Sequence, residues 1–160
     1  MEPRFSFKTD YDMTTFTAMA RAIRKTVGKK RSRRSHIFGV AVVVLGIAAS
    51  FLWGPKPLTI AATALIILVF IFENRINAFF AMKRMLPGMG QARTDFYEDK
   101  YTSATDIGTT EWHYDKIKYI AEDKDFFIFF FSKSHVQAYD KSSIRGGSYA
   151  DFKAFIDENR

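Results

Sequence analysis

The chain has 160 residues, with 24 Lys and Arg against 17 Asp and Glu, for a formal net charge of +7. A hydrophobic content of 48%, with 16% aromatic residues, excludes a wholly disordered chain, and four Pro and nine Gly exclude collagen-like or low-complexity architecture. The absence of Cys excludes a disulfide scaffold, a thiolate nucleophile and any Cys-ligated zinc or iron–sulfur site.

A mean hydropathy of −0.12 suggests a soluble protein, but the charges are unevenly distributed. Residues 1–36 carry ten Lys and Arg against three acids, and residues 37–72 carry one charge, Lys56. Residues 73–93 carry four bases and one acid, and residues 94–160 carry nine bases and thirteen acids. A basic front half is thus joined to a mildly acidic tail. The chain divides accordingly into an arm (1–36), an apolar hairpin (37–72), a helical extension and linker (73–92) and a C-terminal module (93–160).

In chain order, Arg4–Lys8 alternates in a way that suits a short strand. Thr9 or Asp10 offers a helix N-cap, with Asp12 in the first turn. Met13, Phe16, Met19, Ile23 and Val27 recur at three- or four-residue spacing, which predicts an amphipathic helix over Tyr11–Val27, ended by Gly28. Arg21, Arg24, Lys25, Lys29, Lys30, Arg31, Arg33 and Arg34 then follow one another with no acid between them. Because this stretch abuts an apolar block and lacks interleaved aromatics, it reads as a topology signal resting on anionic headgroups rather than a nucleic-acid arm.

Ile37–Trp53 and Leu58–Phe72 are charge-free apolar runs separated by Gly54-Pro55-Lys56-Pro57, which suits a tight reversal. At the helical rise the runs reach about 25 and 22 Å, slightly short of a hydrocarbon core of about 30 Å. Trp53 and a snorkelling Arg75 fit the interfaces. A soluble hairpin would need more chain than remains to cover two all-round apolar helices, so two membrane spans are expected. The Lys and Arg bias then places both termini in the cytoplasm of a plasma-membrane protein. A cleavable signal peptide is not expected, since a long polar stretch precedes the first apolar run. Gly39, Gly46 and Ser50 form a small-residue stripe expected to pack on Ala61 and Ala64, with packing between subunits as the other use.

Beyond the second span, Glu73–Leu86 is expected to stay helical until Pro87-Gly88-Met89-Gly90. Glu73, Asn74, Arg75 and Asn77 cluster at its exit, as an interfacial girdle or as an ion or proton site. The module reads as strands over 93–97, 100–105, 109–113, 117–121, 126–131 and 135–139, joined by tight turns. Ser148, with Asp151 three residues on, caps a terminal helix whose apolar face is Tyr149, Phe152, Phe155 and Ile156. Phe126–Phe131 is apolar on both faces, so its second face needs a cover: the N-terminal helix, a partner or a membrane surface. Trp112, Ile117, Phe127, Phe129 and Phe152 are the expected core. The fold class expected is an integral membrane protein, a two-helix hairpin carrying an α+β domain.

Phe5–Tyr11, the two spans, Phe96-Tyr97-Glu98-Asp99, Glu111-Trp112-His113-Tyr114-Asp115-Lys116-Ile117, Phe126–Ser134 and Tyr149–Ile156 together resemble the YcxB-like family of small bacterial membrane proteins. The resemblance extends over nearly the whole chain. It implies a pleckstrin-homology-like (PH-like) antiparallel sheet capped by the C-terminal helix, and it carries no catalytic residues.

No enzyme signature is found. His36, His113 and His135 lie in separate elements without metal spacing, and Ser132, Ser134 and His135 lack an orienting third group. Glu122, Asp123 and Asp125 read as a solvated turn, since the Gly and distal Glu of a calcium loop are missing. No cofactor, metal, small-molecule substrate or nucleic acid is expected; the partners expected are membrane lipid and either another protein or a second copy. The function expected is a non-enzymatic, membrane-anchored interaction module. The alternatives are a lipid-headgroup sensor and an accessory subunit of a transporter or membrane enzyme.

Overall fold

The computed structural model describes residues 2–54, 56–133 and 135–160, with Arg31 described by its backbone alone. Pro55 of the expected reversal and Ser134 of the expected Ser/His turn lie outside the described residues. The elements run β1 (Phe5–Asp10), α1 (Met13–Lys25), α2 (Lys29–Trp53), α3 (Pro57–Lys83), β2 (Gln91–Phe96), β3 (Lys100–Thr105), β4 (Gly108–His113), β5 (Tyr119–Glu122), β6 (Phe126–Phe130), β7 (Val136–Asp140) and α4 (Tyr149–Asn159). Single 3-10 turns at Tyr114–Lys116 and Lys141–Ser143 link β4 to β5 and β7 to α4.

The strands form two antiparallel sheets, one ordered β1-β2-β3-β4 and the other β5-β6-β7. The N-terminal strand belongs to the first sheet, which joins the arm of residues 1–36 to the module of residues 93–160. It is longer than the sequence suggests because it pairs with β2 from Phe5↔Phe96 to Asp10↔Gln91. That register matches the pleat. Phe5, Phe7 and Thr9 are buried, and so are their partners Phe96, Thr94 and Ala92. Asp10 therefore serves the strand rather than the helix. Asp12 is the N-cap of α1, its side chain accepting from the backbone N–H of Thr15 at 2.9 Å.

Alternation along β6 settles how its two apolar faces are used. Phe127 and Phe129 enter the main core with Phe5, Phe7, Phe96, Tyr101, Tyr139, Phe152, Phe155 and Ile156. Phe126, Ile128 and Phe130 enter a second cluster with Ala18 and Ala22 of α1, bordered by Met19, Ile23 and Val27. The N-terminal helix is the cover, and two alanines on its inner face let it approach the strand closely. Burying each such aromatic side chain contributes about 1.5–3 kcal/mol. The terminal helix closes the main core under a capping box, in which Ser148 and Asp151 each satisfy the other's backbone N–H.

Ile117, Phe127, Phe129 and Phe152 are all buried in the core, while Trp112 is half-buried and packs on its rim. The strand ends otherwise shift by at most two residues from expectation, and β3 matches it: β2 starts earlier, at Gln91, because β1 supplies a partner, and β5 starts later, at Tyr119, because the 3-10 turn and Ile117 precede it.

Two long helices leave this body. α2 starts at Lys29, so most of the basic run forms its first turns. α3 starts at Pro57, a residue suited to a first helical turn, and ends at Lys83, sooner than the expected Leu86. The stretches Ser32–Trp53 (22 residues) and Pro57–Lys83 (27 residues) are long and apolar enough to cross a membrane. They pack on each other through the glycines but not through the expected alanines. A Cβ on Gly39 would fall 1.8 Å from Cζ of Phe70, and one on Gly46 would fall 2.7 Å from Oγ1 of Thr63. Thr63, Ile66 and Phe70 form the half-buried stripe of α3, whereas Ala61 and Ala64 lie out of phase with it and are exposed. Ser50 turns inward on its own helix and donates to the Gly46 carbonyl at 2.9 Å.

Candidate functional site

α1 is held on one side by β6 and β7 and on the other by α3. The polar cluster expected at the exit of the second apolar run lies at that junction. The Glu73 Oε2 atom is 3.3 Å from Nη1 of Arg24 on α1 and 3.3 Å from Nε2 of His36 on α2. The other His36 nitrogen, Nδ1, lies 2.8 Å from the Ser32 carbonyl oxygen. One carboxylate thus ties three helices together at a partly buried point, where an ion pair is less screened than in open water. Asn74 Oδ1, in the next position, is buried without a hydrogen-bond partner among the described residues.

The basic run therefore splits in two. Arg24 is committed to Glu73, and Nη1 of Arg21 lies 3.9 Å from Oδ2 of Asp123 on the β5–β6 turn. Lys25, Lys29, Lys30, Arg33 and Arg34 are exposed around the start of α2, and the Arg31 side chain lies outside the described residues. The helical phase of α1 thus brings Arg21 and Arg24 to acids of the protein, while the exposed remainder of the run lies from Lys25 onward.

A cleft of about 740 Å³ lies between α1, α3 and the β5–β6 turn. Phe72, Ile76 and Phe79 of α3 form one wall at i, i+4, i+7 spacing. Arg75 of α3 and Arg21 of α1 line it together with Asp123 and Asp125. Asp123 is held by its own turn, its Oδ1 accepting from the backbone N–H groups of Asp125 (3.1 Å) and Phe126 (3.0 Å). Arg75 and Asp125 form no ion pair among the described residues.

A second cavity, of about 520 Å³, opens where the β4 end of the first sheet faces the start of β7. Met19, Met85 and Met89 overhang it, and Trp112 forms part of its wall. The Trp112 indole packs on Phe131 (centroids 4.7 Å apart) and His135 (5.0 Å), yet its buried Nε1 has no acceptor among the described residues. Burial pushes the phenol of Tyr11, also on this cavity, up to about 12. Sequence alone places Trp112 with the core because an indole is apolar; only the packing shows it standing at an opening.

The acidic turn is tied to its surroundings. Tyr149 of α4 donates its hydroxyl to Oε1 of Glu122, and Lys141 reaches the same oxygen at 3.0 Å, its Nζ lying 4.7 Å from the Tyr149 ring centroid. The Tyr149 hydrogen bond and then the Lys141 contact hold the Glu122 carboxyl below its usual range. A depressed folded pKa means a contribution present above the ordinary Glu value of about 4.3 and lost as pH falls through the lower folded value. Glu122→Gln should lower stability at neutral pH by up to about 1 kcal/mol, since the carboxylate is partly exposed. It should also flatten the acid limb of a urea-midpoint profile, and an unchanged acid limb would refute the assignment.

The three histidines do not converge. His36 sits with Glu73, His113 ends β4 with its Nε2 3.9 Å from Glu111, and His135 packs beside Trp112. The Ser132–His135 contact is a turn hydrogen bond, from the His135 backbone N–H to the Ser132 hydroxyl oxygen at 2.9 Å. No group of three His, Asp or Glu is placed to hold a metal ion among the described residues.

Comparison with curated proteins finds no match. Residues 96–156 match the family model described as YcxB-like protein. That span begins at the last residue of β2 and runs into α4, so it includes most of the two sheets but neither β1 nor the long helices. The match is therefore narrower than the layout resemblance, which takes in the arm and the apolar runs. Over residues 96–156, from the end of β2 through β7 into the capping helix, this chain is similar to the YcxB-like family.

Proposed function

We propose that the protein is a non-enzymatic, two-pass membrane protein that holds a PH-like module at the cytoplasmic face, both termini inside, and recruits a protein partner there. The observation that carries this reading is the outward-facing apolar surface of α2 and α3. Phe38, Leu45, Phe51, Leu52, Leu58 and Leu65 are each more than 60% exposed, an apolar expanse that water would not tolerate on a monomer. Four- and three-stranded antiparallel sheets closed by a C-terminal helix support the PH-like description. The exposed basic side chains at the start of α2 support the orientation.

The insertion point shapes what such an anchor does. The hairpin leaves the module after β1 and returns before β2, with α1 wedged between them, so the module is clamped at a set angle rather than tethered. Among the described residues strand β4 pairs only with β3, which leaves its other edge to a partner's strand.

The lack of Cys makes the test direct. Lys56→Cys and Lys153→Cys variants would be treated in intact cells with a membrane-impermeant maleimide. Labelling is expected at position 56 without permeabilisation and at position 153 only after it. Release of the protein by alkaline carbonate, or the reverse labelling pattern, would defeat the reading.

A further inference from the structure

We propose that the cleft between α1, α3 and the β5–β6 turn binds the headgroup of a primary-amine phospholipid, the phosphate on Arg21 and Arg75 and the ammonium on Asp123 and Asp125. This rests on the membrane reading of α2 and α3.

Three observations converge on this ligand. The first is location: the apolar run of α3 ends at Phe72, and Arg75 lies within the next turn. The second is continuity. Leu65, Leu68, Phe72, Ile76 and Phe79 recur every three or four residues and are all exposed, so one apolar stripe runs from the span into the cleft. An acyl chain lying on that stripe delivers its headgroup to the cleft.

The third is charge. Two guanidinium groups and two carboxylates line the cleft, so its net charge is zero while both signs are present. A headgroup bearing only a negative phosphate would gain the arginines but face Asp123 and Asp125 unpaired. A zwitterion satisfies both sets. Guanidinium forks suit phosphate oxygens, and a carboxylate bonds an ammonium that has N–H donors in preference to a quaternary one that has none. The groups are available: Arg75 and Asp125 have no ion pair among the described residues, and the Arg21–Asp123 contact is long at 3.9 Å, with Arg21 47% exposed. A headgroup entering between these two would replace one weak contact with two stronger ones.

The test uses the full chain in nanodiscs of phosphatidylcholine doped with equal small fractions of phosphatidylethanolamine and phosphatidylglycerol. The lipid retained through mild detergent extraction is quantified by mass spectrometry. Phosphatidylethanolamine is expected to be enriched about tenfold over its share, with phosphatidylglycerol and phosphatidylcholine near theirs, corresponding to about 1.4 kcal/mol of preference. Arg75→Gln and Asp125→Asn, both at exposed positions, should each remove the enrichment without changing the circular dichroism of the protein. Equal retention of phosphatidylglycerol, or enrichment that survives both substitutions, would overturn the site. Failure of the protein to enter nanodiscs at all would instead defeat the membrane reading, so the two failures are distinguishable.

Discussion

A fragment comprising residues 91–160 is expected not to fold, although it contains the whole segment that matches the YcxB-like family. Its sheet lacks β1, and with it Phe5 and Phe7, both almost fully buried against Phe152 with ring centroids 5.4 and 4.7 Å away. Truncating a buried Phe to Ala costs about 3–5 kcal/mol, and a domain has only about 5–15 kcal/mol to lose. The fragment also bares the face of β6 formed by Phe126, Ile128 and Phe130, which α1 otherwise covers. Both missing pieces lie in residues 2–28. Co-production of that segment should convert an aggregated fragment into a soluble complex with dispersed amide resonances. A fragment 91–160 that is monomeric, soluble and dispersed on its own would show that β1 is an accessory rather than part of the fold.

Phe152→Ala is expected to be the most damaging single substitution in the module. The ring is fully buried, with centroids 4.7 Å from Phe7, 4.9 Å from Phe96 and 5.2 Å from Phe127, so it joins both sheets to α4. Close packing of this kind leaves the neighbours little room to collapse into the space, and the loss should be about 3–5 kcal/mol. Denaturation of the detergent-solubilised protein, followed by near-ultraviolet circular dichroism, would read it as a large fall in the urea midpoint. Phe51→Ala is the control: that ring is 87% exposed near the end of α2 and should leave the midpoint of the module unchanged. A shift at Phe152 no larger than at Phe51 would contradict the placement of the core.

Several elements were legible locally. The apolar runs, the Ser148–Asp151 box and the alternation of β6 are short-range signals, because helix capping and side-chain periodicity are decided within a few residues. The stop expected at Gly28 falls earlier: α1 ends at Lys25 with Thr26 as its C-cap, and Gly28 caps the start of α2. The N-cap of α1 was misplaced by two to three residues. Thr9, Asp10 and Asp12 are all competent caps, and the choice falls on Asp12 only because Asp10 is the last residue paired with β2. The small-residue stripe was half legible. Gly39 and Gly46 do face α3, but whether they meet Ala61 and Ala64 or Phe70 and Thr63 depends on the rotational phase of two helices around each other.

By itself, the sequence determined the kind and order of the elements: an amphipathic helix, two long apolar helices, a set of short strands and a capped terminal helix. It also determined that β6 would need cover on two sides. Only the tertiary structure decided that β1 completes the sheet across the inserted hairpin, that α1 supplies the second cover, and that Arg21 and Arg24 turn away from the rest of the basic run to meet Asp123 and Glu73. Propensity and periodicity act over a few residues, whereas the pairing of Phe5 with Phe96 is a contact between distant parts of the chain. Such a contact forms because it buries two aromatic faces at once, and no local pattern of either strand records its partner.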